Sequence, residues 1–249
     1  MAKRPRDDAA RWGERAIAVP QLAFFDLQCV TPDASIIQYG KRGVGKTTLF
    51  TCLAYYNRYK WDEMYAFTKS YFNGAYQAFL PAHRVFPGVN AEVLRLLLDR
   101  NKGPGRRKVC IVLDDIISSD ARELRHSKEL VELFSMGRHY GISIVVNTQY
   151  PKALPPTFRD NADYAVVFIT FSRPTLDMLW KQYGLFMDYL TFRAMVEKYT
   201  QNNGAVVCCP QRNSTAVQDM FNYVRATPHG PFRIPKTPEP EAEKAPAAA

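Results

Sequence analysis

Histidine is scarce, cysteine is unpaired by number, and long apolar runs are missing. The four histidines, His83, His126, His139 and His229, lie far apart, and the five cysteines, Cys29, Cys52, Cys110, Cys208 and Cys209, form no C-x-x-C. Zinc ribbons and fingers need closely spaced Cys and His ligands, so that class is excluded. An odd cysteine count argues against a disulfide framework and for a reduced, intracellular protein. Cys110 sits inside a strongly apolar segment and reads as core packing. No stretch reaches the ~20 apolar residues needed to span a bilayer, and no signal peptide is found. No internal repeat occurs, which excludes solenoids and propellers.

What is present is length and positive charge. The chain has 249 residues and a formal net charge of +9. That length allows one large domain with a sizeable core. Most of the charge excess lies between residues 14 and 231, which suits a polyanionic partner such as nucleic acid. Residues 1–13 are polar and are expected as a disordered basic tail. Within them, Lys3-Arg4-Pro5-Arg6 reads either as a nuclear import signal or as a solvated tail. From Thr227 prolines and alanines dominate, so 227–249 is expected as a second disordered tail. The folded unit is therefore expected over 14–226.

Within it, strands and helices alternate. Residues 16–30, with Phe24 and Phe25, join the core as an opening strand or loop. Ile36–Tyr39, Met64–Thr68, Val109–Leu113, Ile142–Val146 and Asp163–Thr170 read as strands. Leu49–Tyr59 and Asn90–Arg100 read as helices, the second capped by Asn90 with Val93, Leu94, Leu97 and Leu98 at helical spacing. Asp120 and Glu123 have the spacing to cap a further helix carrying Leu124, Leu130, Val131 and Phe134, which ends near Gly137–Gly141. Residues 172–200 read as helical and aromatic-rich, and Ala205–Cys209 with Met220–Val224 as a closing hairpin. This alternation predicts an α/β fold, a three-layer sandwich with a mostly parallel central sheet.

The chemistry begins at Gly40-Lys41-Arg42-Gly43-Val44-Gly45-Lys46-Thr47-Thr48. Gly40, Gly45, Lys46 and Thr47 fill the pattern G-x-x-x-x-G-K-[ST], between a predicted strand and a predicted helix. Glycines let backbone N–H groups turn inward around a polyphosphate, and a helix N-terminus points its positive dipole end at the same charge. Lys46 would reach the β- and γ-phosphates of ATP, and the Thr47 hydroxyl would hold Mg²⁺.

A second acid site follows. Asp114-Asp115 ends the apolar run Val109–Leu113, and ligands in such sheets sit beyond the carboxyl ends of the strands. Asp114 is placed on the Mg²⁺, and Asp115 on the attacking water as base or orienter. The interval between Lys46 and Asp114 leaves room for a full strand–helix unit. The acid strand is therefore expected not to adjoin the phosphate-loop strand. Ile142–Val146 could lie between them, with Gln149 next to the γ-phosphate.

Three segments, Gly40–Thr48, Ile111–Asp115 and Gly137–Gln149, resemble the FtsK–HerA superfamily of ring-forming DNA pumps. The third carries the Arg-x-x-Gly-Ile, apolar strand, Thr-Gln pattern as Arg138, Gly141, Ile142, Thr148 and Gln149. Within that superfamily the chain is most similar to the DNA-packaging ATPases of large double-stranded-DNA viruses, over roughly residues 34–225. Asp115 departs from the pattern, since much of the superfamily has Glu there. The resemblance implies an additional-strand, RecA-like P-loop ATPase that forms a homo-oligomeric ring around double-stranded DNA. It further implies a capsid protein or portal as partner, and a place in the infected cell, cytoplasm or nucleus, or in the virion. Gln149 would match a polar γ-phosphate sensor, and Arg138, or second Arg159, an arginine finger reaching a neighbour's nucleotide. Read without the resemblance, Gln149 is a strand-end polar residue and Arg138 a cation near a helix C-terminus.

Two basic segments remain. Arg100, Lys102, Arg106, Arg107 and Lys108 precede the acid strand, opposite the nucleotide, as a DNA patch or a solvated loop. Arg122, Arg125, His126 and Lys128 follow it on the nucleotide side, diluted by Asp120, Glu123 and Glu129. Rival readings are a small kinase, which usually needs a mobile basic lid not found here, and a nucleotide-binding DNA scaffold, which would not need Asp114-Asp115.

Overall fold

The computed structural model describes residues 17–116, 127–212 and 214–234. Among them nine strands form one sheet: β1 (Ala23–Phe24), β2 (Ser35–Tyr39), β3 (Glu63–Thr68), β4 (Val85–Phe86), β5 (Val109–Asp114), β6 (Ile142–Thr148), β7 (Tyr164–Phe168), β8 (Gly204–Cys208) and β9 (Phe221–Arg225). Their order across the sheet is β1-β9-β8-β7-β2-β6-β5-β3-β4. All pairings from β7 to β4 are parallel. β8 is antiparallel to both β7 and β9, forming the expected hairpin. β6 separates β2 from β5, as the spacing of the two motifs predicts.

Helices cover both faces, which makes three layers. α1 (Lys46–Asn57) lies on one face; α2 (Ala91–Lys102), α3 (Lys128–Met136), α5 (Arg173–Tyr183) and α6 (Tyr189–Tyr199) pack on the other. Two short helices, α4 (Pro156–Asp160) and α7 (Val217–Met220), are the remaining α-helices among the described residues. Successive strand side chains point to opposite faces. Val109, Ile111 and Leu113 therefore join the α2–α3 core, while Cys110 and Val112 join the α1 core. Every residue of β5 is buried, as expected of a parallel strand covered on both sides. All five cysteines are free thiols, four of them buried. No helix among the described residues is long and apolar enough to cross a membrane.

Three expectations change. The helical stretch 172–200 is two helices, broken where Gly184 packs against Phe192 and Trp180 and where Asp188 caps α6. Helix α3 starts at Lys128 with Ser127 as its cap, and the cap expected at Asp120 and Glu123 lies outside the described residues. Residues 227–234, expected as tail, pack on the domain instead. Phe232 stacks on Phe79 with ring centroids 4.9 Å apart, His229 stacks on Tyr55 at 5.0 Å, and Ile234 is fully buried. Burying one such apolar side chain contributes about 1.5–3 kcal/mol, enough to hold a short proline-flanked segment down. The tails 1–13 and 235–249 and the cations Arg122, Arg125 and His126 lie outside the described residues.

Candidate nucleotide site

The loop after β2 turns back on itself through Gly43 (φ 82) and Gly45 (φ 100), conformations open to glycine. Gly40 is needed for a different reason. A Cβ there would lie 2.7 Å from Val44 Cγ2 and 2.9 Å from Phe168 Cβ. Gly45 caps α1 without a side-chain hydrogen bond, and the first turn of α1 holds no acidic residue. Its leading N–H groups therefore face the cleft as an anion site. Lys46 Nζ donates to the Gly40 and Lys41 carbonyls at 2.7 and 2.9 Å, which holds the ammonium inside the loop. Burial pulls the Lys46 pKa down, while the charges of Asp115 and Asp114 hold it up.

Asp114 is the last residue of β5 and points to the α1 face. It is flanked in register by Thr68 of β3 and Asn147 of β6, and both donate to it. Asn147 Nδ2 reaches Oδ1 at 3.0 Å, and Thr68 Oγ1 reaches Oδ2 at 3.3 Å. Burial pushes the Asp114 pKa up, and the Asn147 hydrogen bond opposes that shift. The phenol of Tyr76, buried beside it, is pushed well above its ordinary pKa by burial and by the Asp114 charge.

Strand alternation would send Asp115 to the opposite face from Asp114. It does not, because Asp115 adopts a left-handed conformation (φ 52), fixed by its N–H donating to the Asn147 carbonyl at 3.0 Å. Both carboxylates then line one cleft of about 560 Å³ with Lys46, Thr47 and Thr48. Left-handed backbone at a non-glycine residue stores strain and is concentrated at working sites. Gln149, just past β6, donates from Nε2 to Asp115 Oδ2 at 3.0 Å. These two also line an adjoining cleft of about 440 Å³ with Arg42, Lys69, Phe72 and Tyr150.

The loop, Asp114, Asp115 and Gln149 thus converge. Arg138 does not join them. It lies in the turn before β6, at the opposite end of the sheet, and pairs with Asp163, which also accepts from the Ser35 N–H and hydroxyl. Arg159 is not in the cleft either; its guanidinium contacts Met178. In the basic loop, Arg100 and Arg107 pair with Glu63, and Lys102 pairs with Asp99 and Glu132. Much of that patch is neutralised internally.

Sequence reasoning missed Ser70, Asn73 and Tyr76 from the β3–β4 connection, the turn Asn202-Asn203, and Arg225 at the end of β9, all lining the larger cleft. No local motif marks them. The paired Asn before a strand was the available signal.

Among the described residues no cluster of three or more His, Cys, Asp or Glu could hold a metal. That fits Mg²⁺, which is held by one or two carboxylates together with substrate phosphates rather than by an all-protein cage. Asp114 and Thr47, which line the same cleft, are the residues that could supply the protein part of such a set.

A nucleotide-binding loop on a sheet with the strand order described, opposite a paired carboxylate, defines a P-loop NTPase domain. Residues 28–206 match the family described as Poxvirus A32 protein, and the chain belongs to that family. It is 24% identical over 220 residues to an uncharacterized protein of Acanthamoeba polyphaga mimivirus, which spans 83% of this chain and 77% of that protein. The genome packaging NTPase of Sulfolobus turreted icosahedral virus 2, in complex with ATP-gammaS, superposes with a TM-score of 0.56 at 15% identity, over 78% of this chain and 98% of that one. The same protein with sulfate gives 0.59 at 14% identity, over 81% and 100%. At these identities the likeness is one of fold.

Proposed function

We propose that this chain hydrolyses ATP, with Mg²⁺, to translocate double-stranded DNA during packaging of a viral genome. The observation that carries the reading is the convergence of Lys46, Thr47, Asp114 and Asp115 in one cleft, with Gln149 hydrogen-bonded to Asp115 from the adjoining one. Packaging is supported by membership of the poxvirus family and by the fold shared with a genome packaging NTPase.

Residues Gly40 to Thr48 wrap the phosphates, and Lys46 supplies positive charge at the β- and γ-phosphates. Asp114 and Thr47 would hold Mg²⁺, which supplies further charge against the developing negative charge on the phosphates. Asn147 and Thr68 keep the Asp114 carboxylate pointed into the cleft. Asp115 accepts a proton from the attacking water as the bond from the γ-phosphorus to the leaving oxygen breaks, giving ADP and phosphate. Gln149 orients Asp115 and senses the γ-phosphate. The site is completed in a ring by a neighbouring subunit. Since Arg138 lies away from its own chain's cleft, any finger role for it is exerted on a neighbour.

The test is ATP turnover by the full chain with and without duplex DNA, beside native mass measurement. Turnover stimulated by duplex DNA, together with a multimer in the presence of nucleotide and DNA, is expected. A kinase would transfer phosphate to an acceptor and ignore DNA. A scaffold would bind nucleotide without turnover.

A further inference from the structure

The sheet order fixes which way a bound nucleotide runs. The phosphate loop follows β2, and Asp114 and Asp115 follow β5, two strands to one side. The turn Asn202-Asn203 precedes β8, two strands to the other side, and Arg225 ends β9 beyond it. Strands are spaced ~4.8 Å apart, so the strands that carry the two walls stand roughly 10 Å to either side of the phosphate-loop strand. The carboxylate wall is committed to the metal and the water. Beyond the carboxylates the cleft is also lined by Ser70, Asn73, Ala75 and Tyr76 from the β3–β4 connection, and by Asn202, Asn203, Arg225 and Ala226.

This second wall is built, not incidental. Asn202 and Asn203 are both left-handed, at φ 53 and φ 57, a conformation that asparagine tolerates better than other side-chain-bearing residues. Gly204 locks the turn in place, since a Cβ there would collide with the Tyr199 carbonyl oxygen. Arg225 pairs in register with Gly204, which sets its side chain beside the turn. Asn203 Cβ lies 3.9 Å from the position of a Cβ on Gly45, so the wall begins where the phosphate loop ends. Among the described residues, the side chains of Asn202, Asn203 and Arg225 make no hydrogen bond or ion pair. Three exposed polar side chains without a partner in the protein line one end of the cleft.

We propose that, given an ATP site at Lys46, the nucleoside end of the nucleotide is held by Asn203, Asn202 and Arg225. Arg225 supplies a flat cation that stacks on a base, and the two amides supply donors and acceptors for the base edge and ribose hydroxyls. The subsite is contributed by residues some 160 positions after the phosphate loop, so it ties nucleotide affinity to the closing hairpin β8–β9.

The experiment compares two ligands that share phosphates and differ in the nucleoside. Affinities of the full chain for ATP and for inorganic tripolyphosphate are measured by titration calorimetry in the same Mg²⁺ buffer. The variants are Arg225→Ala, at the exposed end of a strand, and Asn203→Gly, which keeps the left-handed turn without strain. Each variant is expected to bind ATP about tenfold more weakly, the size of one good polar contact. Tripolyphosphate affinity is expected to stay within about twofold of wild type. An equal fall for both ligands would place Arg225 on the phosphates and overturn the assignment. Unchanged ATP affinity in both variants would place the nucleoside elsewhere. If wild type binds neither ligand, the phosphate-loop reading itself fails, an outcome distinct from the other two.

Discussion

Gln149 Nε2 donates a hydrogen bond to Asp115 Oδ2 at 3.0 Å, joining the ends of two adjacent strands over the nucleotide cleft. The bond uses one carboxylate oxygen and leaves the other to act on water. Asp115→Asn keeps the shape and removes the basicity. ATP is expected to bind within a few-fold of wild type while single-turnover hydrolysis falls by about 10² or more. Loss of binding with normal residual chemistry would make Asp115 the metal holder and exchange its role with Asp114. Gln149→Ala is expected to slow hydrolysis by less than Asp115→Asn. The double variant is expected to be little worse than Asp115→Asn alone, because coupled residues are not additive.

Asp114 carries a stability cost that comes from its burial. Its pKa is raised chiefly by burial, so the ionised form is the one the fold disfavours. A neutral replacement removes that cost. Asp114→Asn is expected to be more stable than the wild-type chain at pH 7 without nucleotide, while losing turnover. The sign then fixes the pH dependence. As pH falls through the raised pKa, wild-type Asp114 becomes neutral, and the advantage of the variant shrinks in a window above the ordinary aspartate range. Denaturant unfolding across pH checks this; a variant less stable at pH 7 would show that the Asn147 and Thr68 hydrogen bonds outweigh burial.

Arg138 tests whether the ion pair or a neighbour's nucleotide explains this residue. Its partner Asp163 ties together the starts of β2 and β7. The Arg138 side chain is 50% exposed, so the pair is worth about 0.2–1 kcal/mol. Arg138→Ala is expected to lose that much stability and keep near-normal turnover. An inactive Arg138→Ala chain whose activity returns on mixing with Lys46→Ala chains would instead establish an arginine finger acting across subunits, which is worth ~10³-fold or more.

The segment 227–234 is anchored by Ile234, whose N–H also donates to the Phe79 carbonyl at 2.9 Å. Ile234→Ala is expected to cost about 2–5 kcal/mol in unfolding free energy. A change below about 0.5 kcal/mol, the range of ordinary surface substitutions, would mean that the segment is not docked.

The parts of the site that were legible in the sequence are those carried by short contiguous patterns. Gly40–Thr48, Asp114-Asp115 and Gln149 each sit just past a buried apolar strand, where a local reading suffices. The interval between Lys46 and Asp114 even foretold the intervening strand β6. Asn203 and Arg225 were invisible because only the pairing of β8 with β9 and the order of the whole sheet bring them to the loop. Ile234 was hidden by its proline-rich surroundings, which describe the chain's composition and not its burial. Arg138, read from its pattern as reaching a neighbour's nucleotide, lies at the end of its strand remote from its own cleft and adjacent to Asp163, a pairing that no local pattern announces.

The central claim is that this cleft hydrolyses ATP in the service of moving DNA. The most direct measurement is steady-state ATP turnover of the full chain and of Lys46→Ala, each with and without duplex DNA. The account predicts turnover that duplex DNA stimulates in the wild-type chain, and loss of both basal and stimulated rates in a Lys46→Ala chain that remains folded. Unchanged turnover in folded Lys46→Ala, or wild-type turnover indifferent to duplex DNA, would contradict it.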